Sequence, residues 1–313
     1  MKVNITGYNE FQGRRIMPPP WMVCPYIRRS SVGWRTGFGG AYAEKFQTWL
    51  KMMTPKEKKV YREMFPERIT WKGWWDGEDK TELLRYKNYS TCAWREGGKP
   101  KYTRAQLIKE WEEGNRRPFC YFWDHDEKDG TLTQSCLSQW YPSKFSVGIY
   151  QYNCMEQYMM AEKADLFSDE KVREKIFESD DPAVIQALGR TVIYLKQDVW
   201  DEFKHSIVVN GNWRKFTQNK KLRDFLLSTG ENIIEEASPY DTIWGIGASA
   251  YDEEARDPRD WKGENMLGFA LMEVRDELRR VYRCESSCDW TYAKKKSPGK
   301  NSLFHMNFKS RAN

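Results

Sequence analysis

Tryptophan is the residue that most restricts how this chain can fold. The sequence contains 15 Trp among 313 residues, and aromatic residues make up 15% of it. Each buried aromatic ring removes roughly 150–250 Å² of surface from water, and a chain with this much apolar surface does not stay disordered. We therefore expect a folded protein. At about 100–200 residues per domain, its length corresponds to two domains or to one domain with a long extension.

Hydropathy and the first residues exclude two classes of protein. The mean hydropathy is −0.84, and no stretch approaches the roughly 18 to 20 apolar residues of a membrane helix. The sequence begins MKVNITGYNEFQGRR, which lacks the apolar segment of a secretory signal. We expect a cytoplasmic protein that has no membrane partner.

The excess positive charge lies at the end of the sequence. The formal net charge is +6, yet residues 290–313 contain six Lys or Arg and no acid, so the rest of the chain is neutral. A basic tail of this composition is either a solvated end or a contact for a polyanion such as nucleic acid. Both interpretations stay open.

Cysteine and histidine are poorly arranged for a metal. The seven Cys include no C-x-x-C pair, and the three His are far apart. A zinc site usually needs four clustered nitrogen or sulfur ligands, and Cys284 with Cys288 has no second pair nearby. We expect free thiols, with no metal and no cofactor, and His125 is interpreted as a solvated loop residue.

Residues 1–102 are predicted to form an irregular, Trp-rich extension or a small accessory domain, because Gly and Pro interrupt the pattern repeatedly. Helices are predicted over residues 41–53 and 56–64, the second with Thr54 as cap and Pro55 at its first position. Trp71, Trp74 and Trp75 suit stacking on a base or sugar, but packing onto the neighbouring domain is the favoured interpretation.

The remainder is predicted to be a mainly α (α+β) domain over residues 103–285, compact and helical, followed by the basic tail at 286–313. Short strands are expected at FCYFW (residues 119–123) and around Tyr150 and Tyr152. Helices are expected where apolar residues recur at helical spacing, over residues 103–113, 155–167, 169–178, 182–188, 198–209, 219–229 and 265–282.

Glu156 and Lys163 are the first candidates for chemistry. They lie two turns apart on one predicted helix and so share a face that is otherwise apolar. A carboxylate and an ammonium on such a face must be paired or must border a cleft, because an unpaired buried charge is costly. The alternatives are a functional site and a structural ion pair.

Three loops contain more polar and aromatic residues than packing requires. Asp241 and Trp244 precede two glycines, a composition suited to a tight loop that approaches a ligand. Neither a dinucleotide fingerprint nor a phosphate-binding loop is present. The loop residues singled out are Trp140 and Tyr141 in LSQWYPS, Lys215 in WRKFTQN, and Asp241, Trp244 and Gly245 in EASPYDTIWGIG.

The order of seven motifs resembles the NADAR family, also called YbiA-like. The motifs are SQWYPSKF, EQYMMAEKADLF, LGRTV, KFTQN, LLSTG, EASPYDTIWGIG and WKGENMLGFALMEVRDELR, and they cover roughly residues 118–282. The resemblance implies a compact YbiA-like domain that hydrolyses the bond between ribose C1 and an exocyclic amine. Its substrate would be ADP-ribosylated guanine in nucleic acid or, as the alternative, an early riboflavin intermediate.

The resemblance also implies roles for individual residues. Cleavage of a ribosyl C–N bond needs an anion near C1 and a proton donor, for which Glu156 is the first choice and Asp241 the second. Lys163 would form a Schiff base or bind substrate. The substrate-binding residues implied are Trp140, Tyr141 and Trp244 for stacking, Arg190 and Lys215 for phosphate, and Gln139 and Gly245. A non-catalytic module that binds ADP-ribose or NAD is the rival interpretation, as is a recognition role for residues 1–102.

Overall fold

The computed structural model describes residue 11, residues 14–123 and residues 131–294. The prediction for His125 and the basic residues from Lys295 onward lie outside the described residues.

Helices dominate the described part of the chain, and its strands are short, as the sequence predicted. The helices are α1 (Pro20–Val23), α2 (Gly37–Lys51), α3 (Pro55–Met64), α4 (Arg104–Glu112), α5 (Met155–Leu166), α6 (Glu170–Glu178), α7 (Pro182–Arg190), α8 (Gln197–Gln218), α9 (Lys220–Ser228) and α10 (Met266–Val281). The strands are β1 (Leu83–Tyr86), β2 (Tyr89–Cys92), β3 (Phe119–Phe122), β4 (Phe145–Val147), β5 (Tyr150–Tyr152) and β6 (Ile233–Glu236).

The start of α3 confirms a prediction made from its capping residues. Thr54 Oγ1 accepts a hydrogen bond from the Glu57 backbone N–H at 3.2 Å, and the Glu57 side chain accepts one from the Thr54 N–H at 2.7 Å. This reciprocal pair satisfies two donors that the helix leaves free. Pro55 follows as the first helical residue because its missing N–H costs nothing there.

The central helix α8 is much longer than predicted. The pattern indicated residues 198–209, whereas the helix extends over Gln197–Gln218. Every residue from 205 to 217 is buried. The cause is that α8 packs against three helices and two strands, namely α5, α9, α10, β2 and β4. A helix buried all round shows no apolar stripe, so the periodicity is lost although the helix continues.

Asn219 does not cap α9 as predicted. Its side-chain N–H groups instead donate to the carbonyl oxygens of Lys215 at 2.9 Å and Lys144 at 3.1 Å. Asn219 therefore ties the end of α8 to the start of β4.

Four tryptophans of the N-terminal extension pack against one another, while Trp94 packs against Trp213 of α8 with ring centroids 5.8 Å apart, so packing is confirmed over ligand stacking. The Trp21 ring, fully buried, lies 5.5 Å from that of Trp71, 5.3 Å from that of Trp74 and 5.6 Å from that of Trp75, between centroids. The four rings thus form one cluster within the extension. One hydrophobic core nevertheless continues from the extension into the helical body.

Three two-stranded sheets are present in the described residues. Strands β1 and β2 are antiparallel, and so are β4 and β5. Strands β3 and β6 are parallel, with Phe119 opposite Ile233 and Phe122 opposite Glu236. The carboxyl ends of β3 and β6 therefore lie side by side, where Trp123 follows one strand and Ala237 the other.

All seven cysteines lie in the described residues and are free thiols, as predicted. Within the ranges given above, no three His, Cys, Asp or Glu side chains are grouped as metal ligands would be. No helix within these ranges has the length and apolarity that a membrane crossing requires.

Candidate active site

A cleft of about 520 Å³ opens at the carboxyl ends of β3 and β6. Segments far apart in sequence meet there: the end of β3, the loop before β4, the last turn of α7, and β6 with the loop that follows it. Three residues singled out from the sequence line the cleft, namely Trp140, Arg190 and Asp241. The full lining is Trp123, Ser138, Trp140, Gln186, Arg190, Glu236, Ser238, Tyr240 and Asp241.

Glu156 lies in the first turn of α5, next to Trp140. Its side chain is buried, with a residue exposure of 2%. Burial raises the pKa of Glu156 to about 8, although a hydrogen bond from the Trp140 side chain opposes the rise. Oε1 of Glu156 has no hydrogen-bond partner among the described residues. The carboxyl therefore holds its proton at neutral pH and can act as an acid.

Three charged side chains in and near the cleft also act on the pKa of Glu156. The negative charge of Asp241 raises its pKa, while Lys163 and Arg190 lower it. The lining of the cleft includes Asp241 and Arg190 but neither Glu156 nor Lys163. Trp140 both lines the cleft and hydrogen bonds to Glu156, so its indole connects the buried carboxyl to the open volume.

Lys163 lies two turns further along α5, on the side that faces α7. Its ammonium donates to the carbonyl oxygen of Gly189 at 2.9 Å and lies 5.3 Å from the ring centroid of Trp200. Burial lowers the pKa of Lys163, and the nearby Glu156 carboxylate opposes that shift. The structure thus places the predicted pair near each other, with the Lys163 ammonium beside the turn that carries Arg190.

Gly189 allows this close approach of α5 and α7. A Cβ atom added at Gly189 would lie 1.9 Å from the sulfur of Met160 on α5. Since real atoms do not approach so closely, only glycine permits the packing that puts Arg190 at the cleft.

Asp241 shapes the loop that borders the cleft. Its Oδ1 accepts hydrogen bonds from the backbone N–H groups of Ile243 at 2.8 Å and Trp244 at 2.7 Å. Its carbonyl oxygen accepts from the Gly247 N–H at 3.1 Å. One carboxylate oxygen of Asp241 thus fixes a turn, and the other takes no part in it.

Trp244 and Gly245 support the loop and do not line the cleft. A Cβ atom on Gly245 would lie 2.8 Å from the Glu236 carbonyl oxygen and 3.0 Å from that of Asp241. The glycine is needed because two backbone segments meet there.

The side chains of Gln139 and Tyr141, which flank Trp140 in its loop, are buried, and so is Lys215 of α8. Lys215 is fully buried, its ammonium donates to the Ser138 carbonyl oxygen at 2.9 Å, and it lies 5.6 Å from the Tyr141 ring centroid. Burial lowers the pKa of Lys215 to about 8. The Gln139 side-chain nitrogen contacts the Met159 sulfur at 3.3 Å. These three side chains therefore support the loop that contains Trp140, and none of them lines the cleft.

Glu236 is a cleft residue that the sequence interpretation missed. Burial raises its pKa to about 8, and the charges of Asp241 and Glu156 add to the rise. Three carboxyl groups are therefore gathered at one end of the cleft. Trp123 and Tyr240 were missed too, and their rings, 6.4 Å apart between centroids, form an exposed rim. Finding them required the parallel pairing of β3 with β6, which periodicity does not reveal.

The chain matches the model of the NADAR domain over residues 121–279. This range is about half of the chain and contains every residue that lines the cleft. The chain belongs to the NADAR domain family.

Three curated relatives are similar to this same half of the chain. N-glycosidase R617 of Acanthamoeba polyphaga mimivirus is 40% identical over 162 residues, which are 50% of this chain and 95% of the relative. N-glycosidase Npun_R5314 of Nostoc punctiforme is 31% identical over 147 residues, 47% of this chain and 86% of the relative. Riboflavin biosynthesis protein VVA0006 of Vibrio vulnificus is 30% identical over 159 residues, 51% of this chain and 38% of the relative.

Proposed function

We propose that this protein is an N-glycosidase that hydrolyses a bond between ribose C1 and nitrogen. The observation that carries the proposal is Glu156, a buried carboxyl with a pKa raised to about 8 beside a cleft that Asp241 lines. The names of the R617 and Npun_R5314 relatives support the same class of reaction.

The proposed mechanism divides the work between two carboxyl groups. As the C–N bond breaks, positive charge develops on the ribose and the departing nitrogen needs a proton. Protonated Glu156 donates that proton, and the carboxylate of Asp241 stabilises the positive sugar. Water then adds to C1 and returns a proton to Glu156, which restores the acid for the next turnover.

Lys163 offers a second route to the same products. A ribosylamine can open to an imine, and a neutral lysine amine can replace the departing amine in a Schiff base that water later hydrolyses. The lowered pKa of Lys163 supports this route because more of the amine is neutral. Borohydride reduces a Schiff base to a stable adduct, so mass spectrometry of the protein after turnover with borohydride distinguishes the two routes.

For the substrate, we propose ADP-ribosylated guanine in nucleic acid. The cleft volume of about 520 Å³ falls within the roughly 300–1,000 Å³ of small-molecule sites. Trp140 offers a ring for stacking, and Arg190 offers a guanidinium for a phosphate oxygen. Trp123 and Tyr240, exposed at the rim, suit a base presented from a longer nucleic acid, which the basic C-terminal tail would contact.

A riboflavin intermediate is the second candidate substrate. The observation that favours it is the name of the Vibrio vulnificus relative, a riboflavin biosynthesis protein. Such a ribosylamine is a small molecule, so its cleavage would need neither the exposed rim nor the tail.

Product release from both substrates tests the proposal. The protein is incubated with an oligonucleotide that contains ADP-ribosylated guanine, or with the riboflavin ribosylamine, and chromatography with mass spectrometry measures the free ADP-ribose or free amine. We expect release by the parent, with a loss of about 100- to 10,000-fold in Glu156→Gln.

Glu162→Gln is the matched control because Glu162 is also buried on α5 but contacts Tyr89 and Arg28, neither of which lines the cleft, whereas Glu156 hydrogen bonds to the cleft residue Trp140. We expect it to keep the parent activity. Binding of ADP-ribose without any release by the parent would contradict the enzyme proposal and indicate a binding module.

A further inference from the structure

A second cavity, of about 160 Å³, lies between the N-terminal extension and α8. It shares no lining residue with the cleft. Four arginines line it, Arg28, Arg29 and Arg68 from the extension and Arg214 from α8, and its one acidic lining residue is Asp79. Asp79 lies 3.4 Å from the Arg29 guanidinium. The lining therefore has an excess of positive charge.

Arg214 is buried in this wall without an ion-pair partner in the described part of the chain. Its residue exposure is 5%, and Nη1 has no hydrogen-bond partner among the described residues. No acidic side chain within those residues is at ion-pair distance from Arg214. Burial lowers its pKa to about 10. A guanidinium in this position is costly unless an anion compensates it.

Arg68 adds a second buried guanidinium close by. Its exposure is 2%, its Nε donates to Thr70 Oγ1, and its guanidinium lies 5.5 Å from the Trp213 ring centroid. Burial lowers its pKa well below the usual range, and the positive charge of Arg214 lowers it further. The two like charges are thus held near each other, an arrangement that an anion between them would stabilise.

Glu162, an acid close to this group, is engaged by other side chains. Glu162 lies 3.9 Å from Arg28 and accepts a hydrogen bond from the Tyr89 hydroxyl. It does not line the cavity, and burial raises its pKa, which reduces the negative charge it can offer. Glu277 acts on Arg68 and Glu162 acts on Arg214 through their charge, but among the described residues neither acid lines the cavity or forms an ion pair with these two guanidinium groups.

We propose that this cavity binds a phosphate oxyanion, either inorganic phosphate or the terminal phosphate of a monoester. Arginine forks match the oxygens of phosphate geometrically. The buried hydroxyl of Thr81, which also lines the cavity, has no partner among the described residues and adds a further donor. The volume is below the roughly 300 Å³ of the smallest usual ligand pockets, so it accommodates one phosphoryl group and no complete nucleotide.

A bound phosphate would connect the extension to the catalytic half of the chain. Arg28 and Arg68 belong to the extension, whereas Arg214 lies on α8 next to Lys215, which supports the Trp140 loop through Ser138. This site does not depend on the N-glycosidase proposal.

Titration calorimetry with inorganic phosphate and with ribose 5-phosphate, at constant ionic strength, tests the site. We expect saturable binding by the parent and a loss of about 10- to 100-fold in affinity in Arg214→Gln. Arg28→Gln changes a half-exposed side chain and should also weaken binding, with urea unfolding of the variant as the check that it folds. The tighter of the two ligands identifies the source of the phosphate.

Two controls make the result decisive. Arg35→Gln removes an exposed arginine outside the cavity and should bind like the parent. Arg190→Gln reports on the cleft, where the proposed function places a phosphate oxygen, and it should leave the binding that depends on Arg28 and Arg214 in place. The proposal is overturned if the parent does not bind either ligand saturably, if Arg28→Gln and Arg214→Gln both bind like the parent, or if Arg190→Gln abolishes binding.

Discussion

The side chain of Asn265 accepts a hydrogen bond from the backbone N–H of Glu236 at 3.1 Å and donates one to the carbonyl oxygen of Ile234 at 2.9 Å. Its amide thus pairs with the edge of β6 as a neighbouring strand would. The Asn265 backbone N–H also donates to the Gly245 carbonyl oxygen at 3.0 Å. One residue at the start of α10 therefore positions both Glu236 and the loop that contains Asp241.

Removing this amide should reduce stability and activity together. Asn265 has a left-handed backbone with φ of 54°, which glycine adopts without strain. Asn265→Gly therefore removes the two side-chain hydrogen bonds to β6 and keeps the backbone conformation allowed. We expect the free energy of unfolding to fall by about 1–3 kcal/mol, measured in urea, with a lower kcat. An unchanged kcat in the folded variant would contradict the positioning role of Asn265.

The contact between α5 and α7 predicts a rescue experiment. Gly189→Ala places a methyl group against Met160 and should lower the free energy of unfolding by about 1–3 kcal/mol. Met160→Ala creates the missing space, so the double variant should lose less stability than the sum of the two single variants. Additive losses would show that Gly189 does not contact Met160 in solution.

Glu235 predicts a pH dependence of stability. It is fully buried, neither of its oxygens has a partner among the described residues, and burial raises its pKa to about 9. The folded state therefore binds a proton that the unfolded state releases near its ordinary pKa of about 4.3. The stability that this proton confers is complete below the unfolded pKa and is lost as the pH rises through about 9.

Glu235→Gln should remove this dependence. Urea unfolding at acidic, neutral and alkaline pH should show the parent losing stability with rising pH more steeply than the variant, with the variant the more stable at alkaline pH. Glu231→Gln serves as the surface control because Glu231 is exposed in the turn between α9 and β6. Its stability should depend on pH as that of the parent does. Parallel pH curves for the parent and Glu235→Gln would contradict the burial of this acid.

The basic tail predicts a salt effect on nucleic-acid binding. Neutralising phosphates with lysines releases counterions, so the logarithm of the binding constant falls with that of the salt concentration. Replacing Lys294, Lys295 and Lys296 with Gln should reduce the magnitude of this slope by about 2–3. Binding that is insensitive to salt in the parent would remove the tail from the proposed function.

The sequence predicted local features well because their causes are local. The capping residues Thr54 and Pro55 indicated where α3 begins, and the spacing of Glu156 and Lys163 put them on one face of α5. The extension's tryptophans were correctly expected to pack, and they do so both against each other and, for Trp94, against Trp213 of α8.

Features that depend on distant pairing could not be predicted. Glu236 enters the site only because β6 pairs in parallel with β3, more than 100 residues earlier in the chain. Lys215 was expected in a loop as a phosphate-binding residue, yet it is buried near the end of α8 beside the equally buried Arg214. No periodicity indicates which polar residues a central helix buries.

The pH profile of ribosyl C–N cleavage, measured as kcat/KM, tests the central claim most directly. If Glu156 donates the proton, kcat/KM falls as the pH rises through about 8, the value to which burial raises the Glu156 pKa. In that case the residual activity of Glu156→Gln lacks this step. A profile without a step near this pH, or one that Glu156→Gln leaves unchanged, would contradict the assignment of Glu156 as the acid.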